Sequence, residues 1–381
     1  MKLIVIDPNV IPASPSMRAW LSAFPSFRHL FDEIEIWATA CDVPEGDGVV
    51  WRRFPARLPH AILHAWDFGQ RVSSCLKSLP ETGDTIVQTT GTYVPRADIR
   101  YMHFWNRALL QERESRKGTF HLNIIHRIVA QLSARTEAAI ARRHDSTSWW
   151  WVVSRSMADR IDSEAAGGSF RILPNQYDPA RFNHCVRGQW RDPMRKRHGF
   201  SENERVLAFS AFGHFERKGL LQAIEAVNIL QSQGYRLKLL VLGGTPKTLN
   251  SFQAQMSSRG VACSACVFTG LVDNIERHLS AADGLFFPSN FEAFSLAEIE
   301  AAALGLRLYL TPHYGVEMIL RQPANGRLLP WDPPGMAAVI AEDLESGQLG
   351  TVHDEIGEAV EPREYRSRIV SLYEEVLATK R

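Results

Sequence analysis

The sequence predicts an α/β protein of two domains, each built on a doubly wound parallel sheet. Its length, 381 residues, exceeds that of an average single domain. The chain starts with an apolar run that ends in an aspartate, Lys2–Asp7, as the first strand of such a sheet often does. In the second half, short apolar runs alternate with amphipathic stretches, which is typical of strand–helix–strand units.

The first half contains several short runs rich in β-branched and aromatic residues, separated by helical stretches. We interpret these runs as strands: Lys2–Asp7, Glu33–Ala38, Val49–Phe54, Thr85–Gln88, Arg100–His103 and Trp150–Ser154.

The second half shows a clearer alternation. Its predicted strands are Arg205–Ser210, Leu237–Leu242, Val267–Thr269, Gly284–Phe287 and Leu306–Leu310. Gly219–Leu230 carries apolar residues at helical spacing, and Gly234 closes the pattern. Pro362 fits the first position of a final helix. No G-x-G-x-x-G follows a predicted strand, so the sequence does not indicate a nicotinamide-binding domain.

Composition narrows the class of protein. The formal net charge of +1 gives no sign of nucleic-acid binding. The five cysteines are scattered, and the lone pair Cys263 and Cys266 predicts small buried side chains in a reducing compartment rather than a metal site. The opening apolar run is too short for a signal peptide, and no run approaches a membrane span. We expect a cytoplasmic protein without a metal ion or other cofactor.

One stretch of the second half predicts a binding site. Gly284–Phe287 is a buried strand that Pro288 stops. Ser295 then fits the N-cap of a helix, with Glu298 at the third helical position to complete a capping box. Gly305 stands where a C-terminal glycine is expected.

The start of that helix predicts an anion site. The amides of Ala293, Phe294 and Ser295 and the first helical residue, Leu296, would face one spot, and a helix N-terminus favours a phosphate.

Two acids accompany this anion site. Glu292 lies in the loop before the helix, and Glu300 follows roughly 2.2 turns later, on a helix that is apolar almost all round. A carboxylate in an apolar row is costly without a partner, and carboxylates beside a phosphate site can accept hydrogen bonds from sugar hydroxyls. The alternative is one solvated glutamate and one turn glutamate.

A second loop offers cations. Gly213–Gly219, GHFERKG, lies between the first strand and first helix of the second half. Arg217 and Lys218, together with helix amides, would stabilise the charge of a departing diphosphate without a metal. The alternative is a solvated Arg–Lys pair in a surface loop.

Residues 288–305, PSNFEAFSLAEIEAAALG, resemble the E-x7-E signature of family 4 glycosyltransferases, retaining enzymes of the two-domain GT-B fold. The resemblance implies that Glu292 holds sugar hydroxyls and Glu300 the ribose diol. It also implies a phosphate-binding Gly-Arg pair followed by Lys-Gly. Lys218 and Gly219 match this pattern, whereas His214 stands where the family has arginine, so we assign that charge to Arg217. Gly213 is a further predicted donor-binding residue.

The resemblance extends to other segments. His103, at the end of a predicted strand, is implied to lie under the transferred sugar; the alternative is a core histidine. Phe268–Leu271 resembles a loop that flanks the nucleotide base, and Thr311 with Gly315–Glu317 resembles the turn that follows. In the first loop, Ala13–Ser16 replaces the family's glycine pair.

Residues 100–143 are strongly basic and include an amphipathic stretch, His121–Ile140. Such a stretch can lie on an anionic membrane or can be a helix with a solvated charged face, and both interpretations stay open. The first would place the protein peripherally at the inner face of the membrane.

The sequence thus predicts a retaining, metal-independent glycosyltransferase that moves a sugar from a UDP- or GDP-sugar to a glycan or lipid-linked acceptor in polysaccharide or glycolipid assembly. The predicted domains are 1–183 for the acceptor, 184–360 for the nucleotide sugar, and 361–381 as a helix that crosses back to the first domain. Two alternatives remain: a GT-B epimerase or hydrolase of the nucleotide sugar, and a catalytically idle partner of an assembly complex.

Overall fold

The computed structural model describes residues 1–58, 61–79, 83–116, 124–143, 147–358 and 360–380. The chain divides into two compact units. The first consists of Met1–Gln111, Asn123–Gln176 and Val360–Arg381, and the second of Glu112–Leu122 and Tyr177–Ala359. We predicted divisions at 183/184 and 360/361, which lie near these changes of unit. We did not predict that Glu112–Leu122 belongs to the second unit.

The first unit is built on a parallel sheet with strand order β5-β3-β1-β6-β7-β8-β9, beside a small pair of β2 and β4. Its strands are β1 (Lys2–Ile6), β2 (Asn9–Val10), β3 (Glu33–Ala38), β4 (Ala40–Cys41), β5 (Val49–Arg53), β6 (Thr85–Thr90), β7 (Ile99–Met102), β8 (Trp149–Val152) and β9 (Ser169–Ile172). Helices that lie or begin in this unit are α1 (Pro15–Phe27), α2 (Ala61–Lys77), α3 (Asn106–Ser115), α4 (Ile124–Ala141) and α5 (Arg155–Asp162).

Burial on both faces explains why these strands lack a polar alternation. In β1, every residue from Leu3 to Ile6 is buried, and in β8 all four residues are buried. A parallel sheet covered by helices on both sides requires such continuous apolar runs. One part of the core joins Ile4 and Ile6 of β1 to Phe68 of α2.

The second unit carries another parallel sheet, with strand order β12-β11-β10-β13-β14-β15. Its strands are β10 (Arg205–Ser210), β11 (Leu237–Leu242), β12 (Cys266–Gly270), β13 (Gly284–Phe287), β14 (Arg307–Leu310) and β15 (Gly326–Leu328). Its helices are α6 (His184–His198), α7 (Leu220–Ser232), α8 (Pro246–Ser258), α9 (Ile275–Leu279), α10 (Leu296–Ala303), α11 (Val316–Ile319) and α12 (Pro333–Glu345).

The predicted α/β class with two doubly wound parallel sheets is therefore confirmed. The sequence did not reveal β9 or β15, each of which has only a few residues. Cys263 and Cys266 are free thiols but half-buried rather than buried as we expected.

The final helix, α13 (Pro362–Lys380), belongs to the first unit and begins at the proline that the sequence indicated. Its Tyr373 hydroxyl accepts a hydrogen bond from Trp20 Nε1 at 2.8 Å and donates one to Gln88 Oε1 at 2.5 Å. These buried bonds satisfy polar groups that would otherwise destabilise the core.

Candidate functional site

The strand order of the second unit reverses at one point, between β10 and β13. In open α/β sheets, ligands bind beyond the carboxyl ends of the strands at such a switch point. The loops that follow these two strands contain Gly213–Gly219 and Pro288–Ser295, the two segments that the sequence singled out.

A glycine allows these two loops to approach each other. Gly219 has φ +78°, and a Cβ at this position would lie 2.0 Å from the carbonyl oxygen of Pro288. Any side chain would clash with that backbone atom and would also strain the left-handed conformation. Gly219 therefore sets the distance between the loops.

Lys218 and Glu292 form the centre of the site. Lys218 Nζ lies 2.5 Å from Glu292 Oε1, and the Ser289 hydroxyl donates to the same oxygen at 2.6 Å. Burial alone would raise the pKa of Glu292, but the charges of Lys218 and Arg217 act against it, and the pKa is lowered to about 2. Glu292 is thus a carboxylate at any physiological pH.

Arg217 connects the loops further. Its guanidinium donates to Phe291 O at 2.6 Å and lies 3.6 Å from Glu292 Oε1. Its own carbonyl accepts from the Asn290 amide at 2.8 Å. Nearby, Gly213 is half-buried and the exposed His214 takes a positive φ of +57°, a conformation that is uncommon for non-glycine residues. The structure therefore brings together Arg217, Lys218 and Glu292.

The helix after β13 begins where we predicted, but the prediction of a capping box is wrong. Ser295 occupies the N-cap with φ −87° and ψ 121°, yet its side chain makes no capping hydrogen bond to the described residues. Glu298 is fully buried and faces His313 instead, at 3.0 Å. Sequence spacing cannot show a partner that comes from the loop after another strand. Gly305, with φ +76°, ends the helix as expected.

The remaining residues of the predicted anion site are placed around this helix start. Ala293, Phe294 and Ser295 are buried directly before α10, and its first residue, Leu296, is half-buried. Glu300 lies two residues beyond Glu298 and is also half-buried. Their roles toward a ligand stay predictions.

His103 lies in the first unit, directly after β7. Its ring packs against Tyr101 with centroids 4.1 Å apart, and its Nε2 has no hydrogen-bond partner among the described residues. Burial lowers the pKa of His103 to about 3, so the imidazole is neutral. A neutral ring with an unused nitrogen suits a ligand contact, although tight packing also fits the core interpretation.

Much of the basic segment 100–143 is engaged internally. Arg100 is buried and donates to Val94 O and Pro95 O, while Arg107 pairs with Glu164. Arg100 and Arg107 are therefore held by contacts within the protein, and the membrane interpretation of the segment stays a prediction. Residues 117–123 lie outside the described part of the chain.

Helix α4 keeps the amphipathic character but turns it outward. Ile124, Ile128 and Leu132 are 74%, 50% and 53% exposed. Exposed Arg127 and Arg135 are on the same helix.

The acidic residue of α4, Glu137, is buried and accepts backbone hydrogen bonds from the start of α3. None of the helices formed by the described residues is both long enough and apolar enough to cross a membrane.

The sequence analysis did not single out two residues of this site, Ser289 and His313. The Ser289 hydroxyl donates a hydrogen bond to Glu292 Oε1. His313 lies between Thr311 and Gly315, two residues that the family pattern had marked, and that pattern was the available signal.

Comparison with known proteins agrees with this geometry. Residues 203–346 match the family model described as "Glycosyl transferases group 1". The matched segment runs from β10 to α12 and includes both loops of the site. Residues 203–346 are therefore similar to a group 1 glycosyltransferase domain, and this match supports the predicted enzyme class over that segment.

Two curated relatives are similar over part of the chain. The amylovoran biosynthesis glycosyltransferase AmsK of Erwinia amylovora is 27% identical over 188 residues, 46% of this chain and 42% of its own. The lipopolysaccharide glucosyltransferase WaaG of Escherichia coli K12 is 26% identical over 220 residues, 58% of this chain and 55% of its own. The chain thus spans about half the length of the curated relatives it matches.

Solved structures match over the full chain. The structure of WaaG aligns with a TM-score of 0.70 at 18% identity, covering 100% of this chain and 98% of that one. Anabaena Alr3699/HepE in complex with UDP-glucose aligns with a TM-score of 0.62 at 15% identity, covering 100% of both chains. At such identities the likeness establishes the fold, and the predicted GT-B fold is confirmed.

Proposed function

We propose that this protein is a retaining glycosyltransferase of the family 4 type, which transfers a sugar from a nucleotide-diphosphate sugar to a hydroxyl acceptor. The observation that carries the proposal is the Lys218–Glu292 pair, 2.5 Å apart at the switch point of the second sheet. It places a cation for a diphosphate and a carboxylate for sugar hydroxyls side by side, within the segment similar to a group 1 glycosyltransferase domain.

The donor is assigned to the second unit. Lys218 and Arg217 neutralise the diphosphate, and the amides of Ala293–Ser295 and the start of α10 bind a phosphate or the sugar. Glu292 accepts hydrogen bonds from sugar hydroxyls, because Lys218 and Arg217 hold its pKa at about 2 against burial and keep it ionised. Glu300 accepts from the ribose diol.

His103 is assigned to the transferred sugar. Its neutral ring and unused Nε2 support this role.

In the reaction, the bond between the anomeric carbon and the diphosphate oxygen breaks as the acceptor oxygen attacks from the same face. The departing phosphate oxygen takes the acceptor proton. The products are a glycoside with retained configuration and a nucleoside diphosphate. Lys218 and Arg217 stabilise the charge that develops on the leaving group, and the proposal therefore assigns this task to side chains rather than to a metal.

We base the proposed donor and acceptor classes on the charges of the site and on the names of similar proteins. We propose a UDP- or GDP-sugar, and the Anabaena structure with UDP-glucose supports a uridine nucleotide. We propose a glycan or lipid-linked glycan as acceptor, and the relatives named for amylovoran and lipopolysaccharide support this class.

We also propose peripheral contact with an anionic membrane through α4. Exposed apolar side chains at i, i+4 and i+8, with arginines beside them, match a helix that lies at a lipid surface. The acid on this helix is buried, so it does not offset the positive charge presented to lipid.

The test begins with a thermal-shift panel of UDP-, GDP- and ADP-sugars on the full chain. The best donor is then incubated with lipid-linked glycan acceptors, and the anomeric configuration of the product is determined by NMR. A product of retained configuration, lost in Lys218→Met but kept in Lys238→Met, supports the proposal. Lys238 is a matched control because it lies on β11 and pairs with Glu204.

Other outcomes decide against the proposal. An inverted product contradicts the retaining mechanism. An epimer or free sugar formed from donor alone indicates an epimerase or hydrolase. Donor binding without turnover across the acceptor panel indicates a catalytically idle partner.

A further inference from the structure

A second buried acid lies behind the Lys218–Glu292 pair. Glu298, in the first turn of α10, and His313, in the loop after β14, have side chains with 0% exposure, and their Oε1 and Nε2 atoms lie 3.0 Å apart. The approach is an ion-pair contact rather than an aligned hydrogen bond, and Glu298 Oε2 has no hydrogen-bond partner among the described residues.

The hydrogen bond on the other side of the histidine ring fixes where its protons are. His313 Nδ1 lies 3.0 Å from the carbonyl oxygen of Tyr314, which can only accept. Nδ1 therefore carries a hydrogen, and Nε2 faces the carboxylate. When one further proton resides on Nε2 or on Glu298, the pair as a whole is neutral.

The titration of each group favours this neutral state. Burial raises the pKa of Glu298, only partly offset by His313. Burial lowers the pKa of His313, but the neighbouring Glu298 and Glu292 more than compensate and raise it above its ordinary value. Lys218 and Glu292 are the other charged groups that act on the pair, and Arg217 lies beyond them against Glu292.

The net charge of the site depends on this proton. With the pair neutral, the two cations Lys218 and Arg217 stand against one carboxylate, Glu292, in the contacts next to the pair. Loss of the proton leaves an additional buried carboxylate next to Glu292. A diphosphate would then meet a weaker positive field.

The loop that carries His313 also supports the segment before α10. Thr311 Oγ1 donates to Ser289 O at 2.7 Å, and Phe291 packs edge-on against Tyr314 at 5.7 Å. A Cβ on Gly315, which has φ +86°, would lie 2.7 Å from Ala293 O. The loop 311–315 therefore lies directly along residues 289–294, and the Glu298–His313 contact joins it to α10.

We propose that Glu298 and His313 form a proton-holding positioning pair, which fixes residues 292–296 against the loop 311–315 and prevents an additional negative charge beside the bound diphosphate. The pair does not touch the reacting atoms and acts through Glu292, Lys218 and the start of α10. The inference rests on the proposed function, because the diphosphate belongs to the donor assigned above.

The test measures UDP affinity by calorimetry on full-chain variants, from about pH 6 to about pH 9. His313→Gln leaves the Glu298 carboxylate buried without its partner, and we expect UDP to bind about tenfold more weakly near neutral pH. Glu298→Gln/His313→Gln removes that carboxylate, and we expect affinity to return to within about threefold of the unchanged chain. His353→Gln, a buried histidine of the same unit that bonds Ala324 O, is the matched control.

The pH profile gives a second readout that a purely structural role would not change. Rising pH removes the pair's proton, so UDP should bind the unchanged chain progressively more weakly relative to Glu298→Gln. The ratio between the two proteins cancels the titration of UDP itself. A double variant as weak as His313→Gln, or a ratio that does not change with pH, would overturn the proposal.

A third readout needs no ligand. NMR of the His313 ring nitrogens should show a hydrogen on Nδ1 and a titration midpoint above the ordinary value, which falls in Glu298→Gln. An unchanged titration in that variant overturns the pair. If the titration behaves as expected but UDP, GDP and ADP all fail to bind, the donor assignment is wrong. The shared proton of Glu298 and His313 is then supported, but the proposed effect of the pair on a diphosphate is overturned.

Discussion

Lys218 Nζ and Glu292 Oε1 lie 2.5 Å apart, and this contact joins the loop after β10 to the loop after β13. Because Lys218 is largely buried, its ammonium depends on Glu292: burial lowers the pKa of Lys218, and the Glu292 carboxylate opposes that effect. Each group keeps the other charged. A diphosphate that binds here meets a Lys218 side chain that Glu292 already holds in place. Less entropy is therefore lost in ordering that side chain on binding.

The first prediction concerns the ribose assignment. Glu300→Ala should weaken binding of the best nucleotide at least about tenfold, since it removes a charged hydrogen-bond acceptor. The measurement is calorimetry with UDP and GDP. Glu202→Ala, an exposed loop residue of the same unit, is the control and should bind normally. Unchanged affinity in Glu300→Ala would count against the role of Glu300.

The second prediction separates steric clash from backbone strain. Gly219→Ala places a methyl group 2.0 Å from Pro288 O, whereas Gly199→Ala, at a similar φ of +74°, meets nothing within 4 Å. We expect Gly199→Ala to cost about 1–2 kcal/mol of unfolding free energy, from strain alone. Gly219→Ala should cost about 3 kcal/mol or more. Urea denaturation measures both, and equal losses would show that the loops do not require this close approach.

The third prediction concerns acid stability of the first unit. Burial lowers the pKa of His103 to about 3, so the folded state binds fewer protons than the unfolded state once the pH falls below the ordinary value for histidine. The stability contributed by neutral His103 is full above that value and is lost as pH falls toward about 3.

The matching variant is His103→Gln. It should reduce the acid-side slope of unfolding free energy by up to about 1.4 kcal/mol per pH unit. His29→Gln, at an exposed histidine of the same unit, is the control. An identical slope in His103→Gln and the unchanged chain would indicate that His103 takes up protons in the folded state.

The fourth prediction tests α4 at a membrane. The chain should co-sediment with vesicles rich in phosphatidylglycerol, less so at high salt, and poorly with phosphatidylcholine alone. Ile128→Ser/Leu132→Ser should reduce the partition coefficient at least about tenfold, because two apolar side chains no longer enter the lipid. Val50→Ser, at an apolar residue 45% exposed on β5, is the control. Equal binding by both variants would argue for a solvated helix face.

The sequence predicted the fold well where an element can be recognised from its own residues. The runs Arg205–Ser210, Leu237–Leu242 and Gly284–Phe287 match β10, β11 and β13 residue for residue, because buried parallel strands have continuous apolar sequences. The short edge strand β15 has three residues and was not recognised, since its pairing with Leu308 depends on tertiary packing.

For the site as well, some residues could be predicted from the sequence and others could not. Glu292, Lys218 and Arg217 could be selected from motif positions, and the structure brings them together. The role of Glu298 could not be predicted: its spacing from Ser295 satisfied the capping-box pattern, while its actual partner, His313, comes from a different strand–helix connection. Long-range pairing of buried charges leaves no periodic signal in one sequence.

The most direct test of the central claim is a crystal structure of the protein soaked with UDP or GDP. The account predicts the diphosphate within hydrogen-bonding distance of Lys218 Nζ and of the start of α10, with the ribose diol on Glu300. A diphosphate bound elsewhere on the molecule, or a site at Lys218 and Glu292 that excludes it, would contradict the account.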